Sequence, residues 1–171
     1  MSILQLFEDS PYRRVERYAQ SRYTTGFLDV IVFPPNKERL LLPAKCQREL
    51  CWTVEQYRSF IIHSIETRSA GNFILYRHED DYNRRYILDG QHRIHAWKAF
   101  KEGVFNIHFE GREIAYLDFT PLDLKLLDNK IMCMVQEVVT ADAYDDEVTE
   151  LIYNRFNFSG VAHERKETKD V

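Results

Sequence analysis

The chain has 171 residues and a formal net charge of -4 at pH 7, and 44% of its residues are hydrophobic, 13% aromatic and 29% charged. This length suits one domain with its own core, and the composition excludes a disordered or low-complexity chain. The acidic balance, with a pI near 5.9, argues against a protein that coats nucleic acid with positive charge. We expect a single domain over residues 1–171, with an N-terminal arm or helix over 1–25 and a core over about 27–163.

Hydropathy and cysteine usage indicate a cytoplasmic protein. No stretch approaches the roughly 18 consecutive apolar residues of a membrane span, and the N-terminal MSILQLFEDSPYRR lacks the layout of a signal peptide. The sequence therefore predicts no membrane partner. Cys46, Cys51 and Cys133 have no CxxC spacing, so they are expected to be reduced, structural thiols.

The first half of the chain mixes extended and helical patterns. RRVERYAQ has a helix-like pattern, and Thr24, Thr25 and Gly26 after it predict a turn. FLDVIVF, residues 27–33, predicts the first strand, stopped by two prolines, and RLLLP at 39–43 predicts a second extended run. A helix is predicted from Thr53, which forms a capping box with Gln56; its apolar face carries Val54, Tyr57, Ile61 and Ile65.

The second half continues in the same mixed order. FILYR (73–77) and RRYIL (84–88) predict a β-hairpin, and QHRIHAWKAFKEG predicts a helix that ends near Gly103. VFNIHFE and REIAYLDF flank Gly111 as a second hairpin, PLDLKLLDN is ambiguous, and residues 131–139 predict a buried strand. Residues 144–156 predict a last helix. The fold class is therefore α+β, a small mixed sheet with packed helices.

The segment Asp89-Gly90-Gln91-His92-Arg93 lies at the predicted junction between a strand and a helix. The first turn of a helix offers unpaired N–H groups and the positive end of the helix dipole, so such a junction can hold a phosphate. Gly90 lets the backbone approach a ligand closely, and Arg93 supplies a charged fork. His92 titrates near neutral pH and can exchange a proton.

From the residue types alone, an ordinary capped helix start explains this junction as well as a phosphate site does. Asp89 can simply cap the helix, with Gly90 as a turn residue and the next three side chains in water. The Asp89 carboxylate would compete with a phosphate for the same N–H groups, unless a divalent cation bound to Asp89 removed the conflict. His92 and His95 share a helical spacing, but no third ligand lies nearby in the sequence, so a zinc site is disfavoured.

Two further clusters flank the junction in the sequence. CQRELCW, residues 46–52, places Arg48 and Trp52 just before the capped helix. YNRFNFSG, residues 153–160, carries Arg155 and Asn157 at the end of the last predicted helix. Taken singly, each is better explained by packing, an ion pair or a C-terminal turn than by a ligand site.

Taken together, a QR…W element, a DGQHR between strand and helix, and a final R-x-N-x-x-G resemble the ParB/sulfiredoxin-like superfamily. The likeness is to its DGQQR/DGQHR branch, with the N-terminal domains of GmrSD-type restriction enzymes and DndB-like proteins, and it runs from about Leu40 to His163. It implies a nucleotide-binding fold with Asp89, Gln91, His92 and Arg93 at the ligand phosphates. Arg48, Arg155 and Asn157 would support them. GmrSD-type enzymes usually carry Gln in place of His92.

Three functional hypotheses follow from the resemblance and the residues. The first is a nucleotide-binding, metal-assisted phosphohydrolase acting in DNA restriction, modification or their regulation. In it Asp89 holds a divalent ion such as Mg²⁺, Arg93 and the amides after Gly90 hold phosphates, and His92 or Gln91 orients a water. The second is a non-catalytic module that binds a nucleotide or a protein. The third is a DNA nuclease, although the net negative charge of the chain disfavours binding to DNA phosphates.

Overall fold

The computed structural model describes residues 19–35, 40–43 and 49–140, together with residues 149, 150 and 153. Within these ranges the strands are β1 (Ala19–Phe27), β2 (Leu40–Pro43), β3 (Ser69–His78), β4 (Arg84–Asp89), β5 (Ile107–Phe109), β6 (Arg112–Ile114) and β7 (Met132–Thr140). The α-helices are α1 (Leu28–Val32), α2 (Val54–Thr67), α3 (Gln91–Lys101) and α4 (Pro121–Lys130). None of these helices is long and apolar enough to cross a membrane.

Five of the strands form one mixed sheet in the order β1-β7-β3-β4-β2, and β5 and β6 form a separate hairpin. The pairs β1–β7 and β3–β4 are antiparallel, whereas β7–β3 and β4–β2 are parallel. The α+β class and the small mixed sheet are therefore confirmed. Both predicted hairpins are also present, the second with shorter strands than its sequence pattern indicates.

The core lies between one face of the sheet and helices α1 to α4. Trp97 and Phe100 of α3, together with Ile61 of α2, are fully buried against Phe73 and Leu75 of β3. Burial of large apolar side chains is the main driving force for this packing. Helix α3 is thereby fixed on the sheet with its amino end at the end of β4.

The capped helix predicted from Thr53 is confirmed. The Thr53 hydroxyl accepts from the Gln56 N–H at 3.3 Å, and the Thr53 N–H donates to Gln56 Oε1 at 2.7 Å. Of the predicted apolar face, Tyr57 and Ile61 are buried and Ile65 packs against the core, but Val54 is exposed.

The strand predicted over residues 27–33 is wrong, because β1 ends at Phe27 and the short helix α1 follows it. The β-branched residues favour a strand locally, but tertiary contacts favour a helical turn. The Leu28 N–H donates to the Ile131 carbonyl at 2.9 Å, and the Asp29 carboxylate accepts from Trp97 Nε1 at 3.1 Å and from Lys101 Nζ at 2.6 Å. Context of this kind commonly overrides strand propensity.

The turn predicted at Thr24–Gly26 is also wrong, since these residues pair with Val135, Met134 and Cys133 inside β1 and β7. Threonine is a good strand former, and the Gly26 carbonyl accepts from the Cys133 thiol at 3.4 Å. Residues 19–25 therefore belong to an edge strand, so the expected boundary between arm and core falls within β1.

The ambiguous segment PLDLKLLDN is helix α4, which begins with a capping box between Thr120 and Asp123 and has Pro121 at its first position. This combination is a standard helix start. The buried strand predicted over residues 131–139 is β7, Met132–Thr140. Met132 and Met134 are exposed at its start, whereas the successive residues Val138 and Val139 are both buried, so both faces of the strand are covered near its end. Of the last predicted helix the structure describes residues 149, 150 and 153, which are helical.

The link between α1 and α3 predicts a measurable stability effect. Burial alone would lower the pKa of Lys101, but hydrogen bonds to Asp29 and Asp128 raise it above its usual value, so the ammonium stays charged. Asp29→Ala leaves the buried Trp97 N–H without its acceptor and should cost about 2 kcal/mol in urea unfolding. The matched change Asp128→Ala leaves Lys101 paired with Asp29 and should cost less than about 1 kcal/mol. Equal losses in the two variants would contradict this account.

Candidate functional site

The polar segment Asp89–Arg93 joins the end of β4 to the start of α3, as its sequence position predicts. Gly90 is the N-cap residue, with φ of 101° and no side-chain cap on the helix. Asp89 therefore does not cap α3, and the capping alternative is wrong. The first turn of α3 lacks the side-chain acceptor that an Asp or Ser N-cap would supply.

Gly90 is required by packing as well as by its backbone conformation. A Cβ atom built at this position would lie 2.2 Å from Cδ1 of Phe73. The Phe73 ring is fully buried and has little room to move. The glycine thus permits β3 to pass directly beneath the junction, and this close approach between strand and turn sets the position of the amino end of α3.

Arg93 reaches back from the first turn of α3 to the strand end. Its Nη2 donates to Asp89 Oδ2 at 2.8 Å, and its Nη1 donates to the Ala70 carbonyl at 3.3 Å. The guanidinium carbon lies 4.6 Å from the centroid of the Phe73 ring, and Gly71 leaves room for Nη1. The guanidinium is thus held beside the uncapped helix start, with N–H donors to spare.

Asp89 and Arg93 form an ion pair that remains partly open to solvent, with side-chain exposures of 42% and 19%. The pair neutralises most of the charge that either group would present to a ligand alone. Among the described residues, no three His, Cys, Asp or Glu side chains converge as metal ligands. Asp89 as a ligand of a divalent cation stays a prediction.

His92 connects the junction to the segment before α2. Its Nε2 accepts a hydrogen bond from the Cys51 backbone N–H at 2.9 Å and lies 3.4 Å from Cys51 Sγ. The Trp52 ring stacks on the imidazole with centroids 5.2 Å apart. Because Nε2 is an acceptor here, the neutral ring carries its proton on Nδ1. The structure therefore brings two of the three sequence clusters together through His92.

Gln91 and His95 differ in their surroundings. The Gln91 Oε1 atom is buried and has no hydrogen-bond partner among the described residues, which marks it as an acceptor able to serve a ligand or a water. The His95 ring packs against Tyr57, with centroids 5.4 Å apart. Arg48, Arg155 and Asn157, the remaining predicted site residues, lie outside the described part of the chain.

Two thiols near the site have different environments. Burial raises the pKa of the Cys133 thiol to about 11, although the nearby Arg93 charge opposes the shift. Cys133 therefore stays protonated at neutral pH, as a structural thiol should. Cys51 is exposed. Burial raises the pKa of the Tyr57 phenol, and the charge of a Cys51 thiolate raises it further.

Sequence reasoning missed four residues that hold this site together. Cys51 binds His92, and Ala70, Gly71 and Phe73 surround the Arg93 guanidinium. Ala70 acts through its backbone carbonyl, so its residue type carries no signal. The small residues Ala70-Gly71 before an aromatic strand are consistent with a close backbone approach, but they do not identify what approaches.

Gly90→Ala should destabilise the protein strongly, because the new methyl group both strains a left-handed backbone and overlaps Phe73. We expect a loss of about 3 kcal/mol in chemical unfolding. Gly103→Ala is the matched control, since Gly103 also has positive φ, 73°, but nothing lies within 4 Å of its added Cβ. It should lose only about 1 kcal/mol. Similar losses at both positions would show that backbone strain alone explains Gly90.

Comparison of the chain with protein-family models, with curated proteins and with solved structures finds no significant match. The likeness to the ParB/sulfiredoxin-like superfamily therefore rests on the sequence motifs quoted above and stays a prediction. The structure itself establishes an α+β fold in which Asp89–Arg93 lie at the amino end of a buried helix.

Proposed function

We propose that the protein binds a nucleotide by its phosphates at the amino end of α3. The observation that carries this proposal is the uncapped helix start at Gly90 with the Arg93 guanidinium fixed beside it. An uncapped first turn directs N–H groups and a partial positive charge outward, and an adjacent arginine adds charge-assisted hydrogen bonds. The resemblance of the DGQHR segment supports the same ligand class.

Asp89 controls how strongly this site attracts an anion. In the free protein its carboxylate accepts a hydrogen bond from Arg93 Nη2, so this donor is already used. A divalent cation such as Mg²⁺ bound to Asp89 would offset the carboxylate charge and leave Arg93 to the phosphates. This arrangement supports the first functional hypothesis, a metal-assisted phosphohydrolase acting in DNA restriction, modification or their regulation. Such a metal would polarise a phosphoryl oxygen and lower the pKa of a bound water.

His92 and Gln91 take different roles in this proposal. Because His92 Nε2 already accepts from the Cys51 N–H, we assign His92 to holding the segment that carries Trp52 over the helix start. Gln91 is the better candidate for orienting a water, since its Oε1 accepts no hydrogen bond from the described residues. Arg48, Arg155 and Asn157 remain supporting residues on the strength of the resemblance alone.

The second candidate is a module that binds a nucleotide without cleaving it. The engagement of His92 Nε2 with the Cys51 N–H and of Asp89 Oδ2 with Arg93 favours it, because a candidate proton acceptor and the candidate metal ligand are both already hydrogen-bonded within the protein. Binding without turnover requires only the helix start and Arg93.

Nucleotide binding is tested by thermal unfolding of the purified protein with nucleoside triphosphates and inorganic triphosphate, each with and without magnesium. A ligand that binds the folded state raises stability by about 2.7 kcal/mol at a hundred times its Kd. Arg93→Gln should raise the dissociation constant roughly 10-fold to 100-fold, as expected for the loss of a charge-assisted hydrogen bond. The control Arg84→Gln changes an exposed arginine at the other end of β4 and should bind as the parent does. Unchanged affinity in Arg93→Gln would refute the site.

Hydrolysis is tested by release of phosphate from the nucleotide that binds best, with plasmid DNA as a parallel substrate for the nuclease hypothesis. We expect magnesium-dependent turnover in the parent and none above background in Asp89→Ala. Asp81→Ala, in the turn before β4, is the control and should retain turnover. Turnover that persists in Asp89→Ala would refute the role of Asp89. Binding with no turnover in the parent would favour the second candidate.

A further inference from the structure

A second charged cluster lies on the same sheet, at the end opposite α3. Glu137 of β7 contacts two arginines: Arg77 Nε lies 3.2 Å from Oε2, and Arg85 Nε lies 3.0 Å from Oε1. The Arg77 side chain is only 4% exposed and that of Glu137 14%, whereas that of Arg85 is 31% exposed. Among the described residues, two guanidinium groups share one carboxylate in a partly buried place, so this cluster carries an excess of positive charge that a further anion would balance.

The two arginines differ in how well their donors are satisfied. Arg77 Nη1 donates to the carbonyls of His78 and Glu79 at 3.0 and 3.2 Å, and its guanidinium stacks on the Tyr82 ring. Arg85 Nε is buried within 3.0 Å of Glu137 Oε1, and none of the hydrogen bonds found among the described residues involves the Arg85 guanidinium. Arg85 is therefore the member of the cluster with donors available to another group.

Arg85 also forms part of the wall of a cavity of about 80 Å³ between α1 and the sheet. The other described residues of the wall are apolar: Val30, Ile31, Pro34, Pro35, Leu41 and Leu75. One charged fork in an otherwise apolar cavity is the pattern of a site for a small amphiphilic ligand. A cavity of about 150 Å³ accommodates benzene, so this one suits a chain of roughly two to four carbons.

We propose that Arg85 and this cavity form a binding site for a short aliphatic carboxylate. The planar guanidinium matches a carboxylate, whose single charge balances the excess of the Arg77–Glu137–Arg85 cluster. The alkyl chain lies against the prolines and aliphatic side chains. Arg85 and Asp89 are four residues apart on β4, a separation of about 13 Å. The carboxylate site is therefore separate from the nucleotide site and does not depend on it.

The proposal is tested by calorimetry and thermal unfolding with sodium acetate, propionate, butyrate and hexanoate, against sodium chloride at equal ionic strength. Propionate or butyrate should bind and raise the unfolding temperature, whereas hexanoate and the neutral propionamide should not. Arg85→Leu should weaken binding at least about tenfold, as expected for loss of a charge-assisted pair. Arg84→Leu is the matched control, because the Arg84 side chain is 60% exposed and pairs with Asp81 instead.

Two further variants keep the test decisive if Arg85→Leu does not fold. Arg85→Lys retains the charge but loses the fork, and should bind several times more weakly than the parent. Val30→Phe places a larger group at the exposed wall of the cavity and should abolish butyrate binding while sparing acetate. Arg93→Gln should bind carboxylate as the parent does. No stabilisation by any carboxylate beyond that of chloride, or equal affinity in the parent and the Arg85 variants, would overturn the proposal.

Discussion

The contact between the Phe73 ring and the Gly90 backbone determines the geometry of the polar junction. A side chain at position 90 would overlap the ring, so only glycine lets β3 pass beneath the turn from β4 into α3. The same ring lies under the Arg93 guanidinium. Strand, turn and arginine are thus positioned by one buried aromatic residue. A left-handed N-cap glycine also provides no capping side chain, so the packing constraint leaves the helix start uncapped.

Around this contact, polar groups connect elements that are distant in the sequence. Arg93 joins α3 to the beginning of β3 through the Ala70 carbonyl, and His92 joins α3 to the segment before α2 through the Cys51 N–H. Each of these side chains therefore has a structural role whether or not a ligand binds. A ligand at the helix start would find its charged group already oriented, which lowers the entropic cost of binding.

Two groups of arginines lie at opposite ends of the central sheet. At one end Arg93 is balanced by Asp89, and at the other Arg77 and Arg85 share Glu137. The first group adjoins a helix start and the second an apolar cavity, so the two ends of β4 differ in the ligands they suit. An acidic overall charge conceals this local excess of positive charge, because net charge says little about the field at a particular site.

The sequence by itself determined the α+β class, the capped helix at Thr53, both hairpins and the position of Asp89–Arg93 between strand and helix. These features follow from local periodicity and capping chemistry, which act over a few residues. Only the tertiary structure decided that residues 28–32 are helical, since the contacts of Asp29 with Trp97 and Lys101 outweigh the strand propensity of Val30–Val32. It also decided that Asp89 pairs with Arg93 instead of capping α3, and that His92 binds Cys51. Apart from Asp89–Arg93, these pairings join residues 41 to 72 positions apart, and local sequence patterns carry no information about which distant groups will meet.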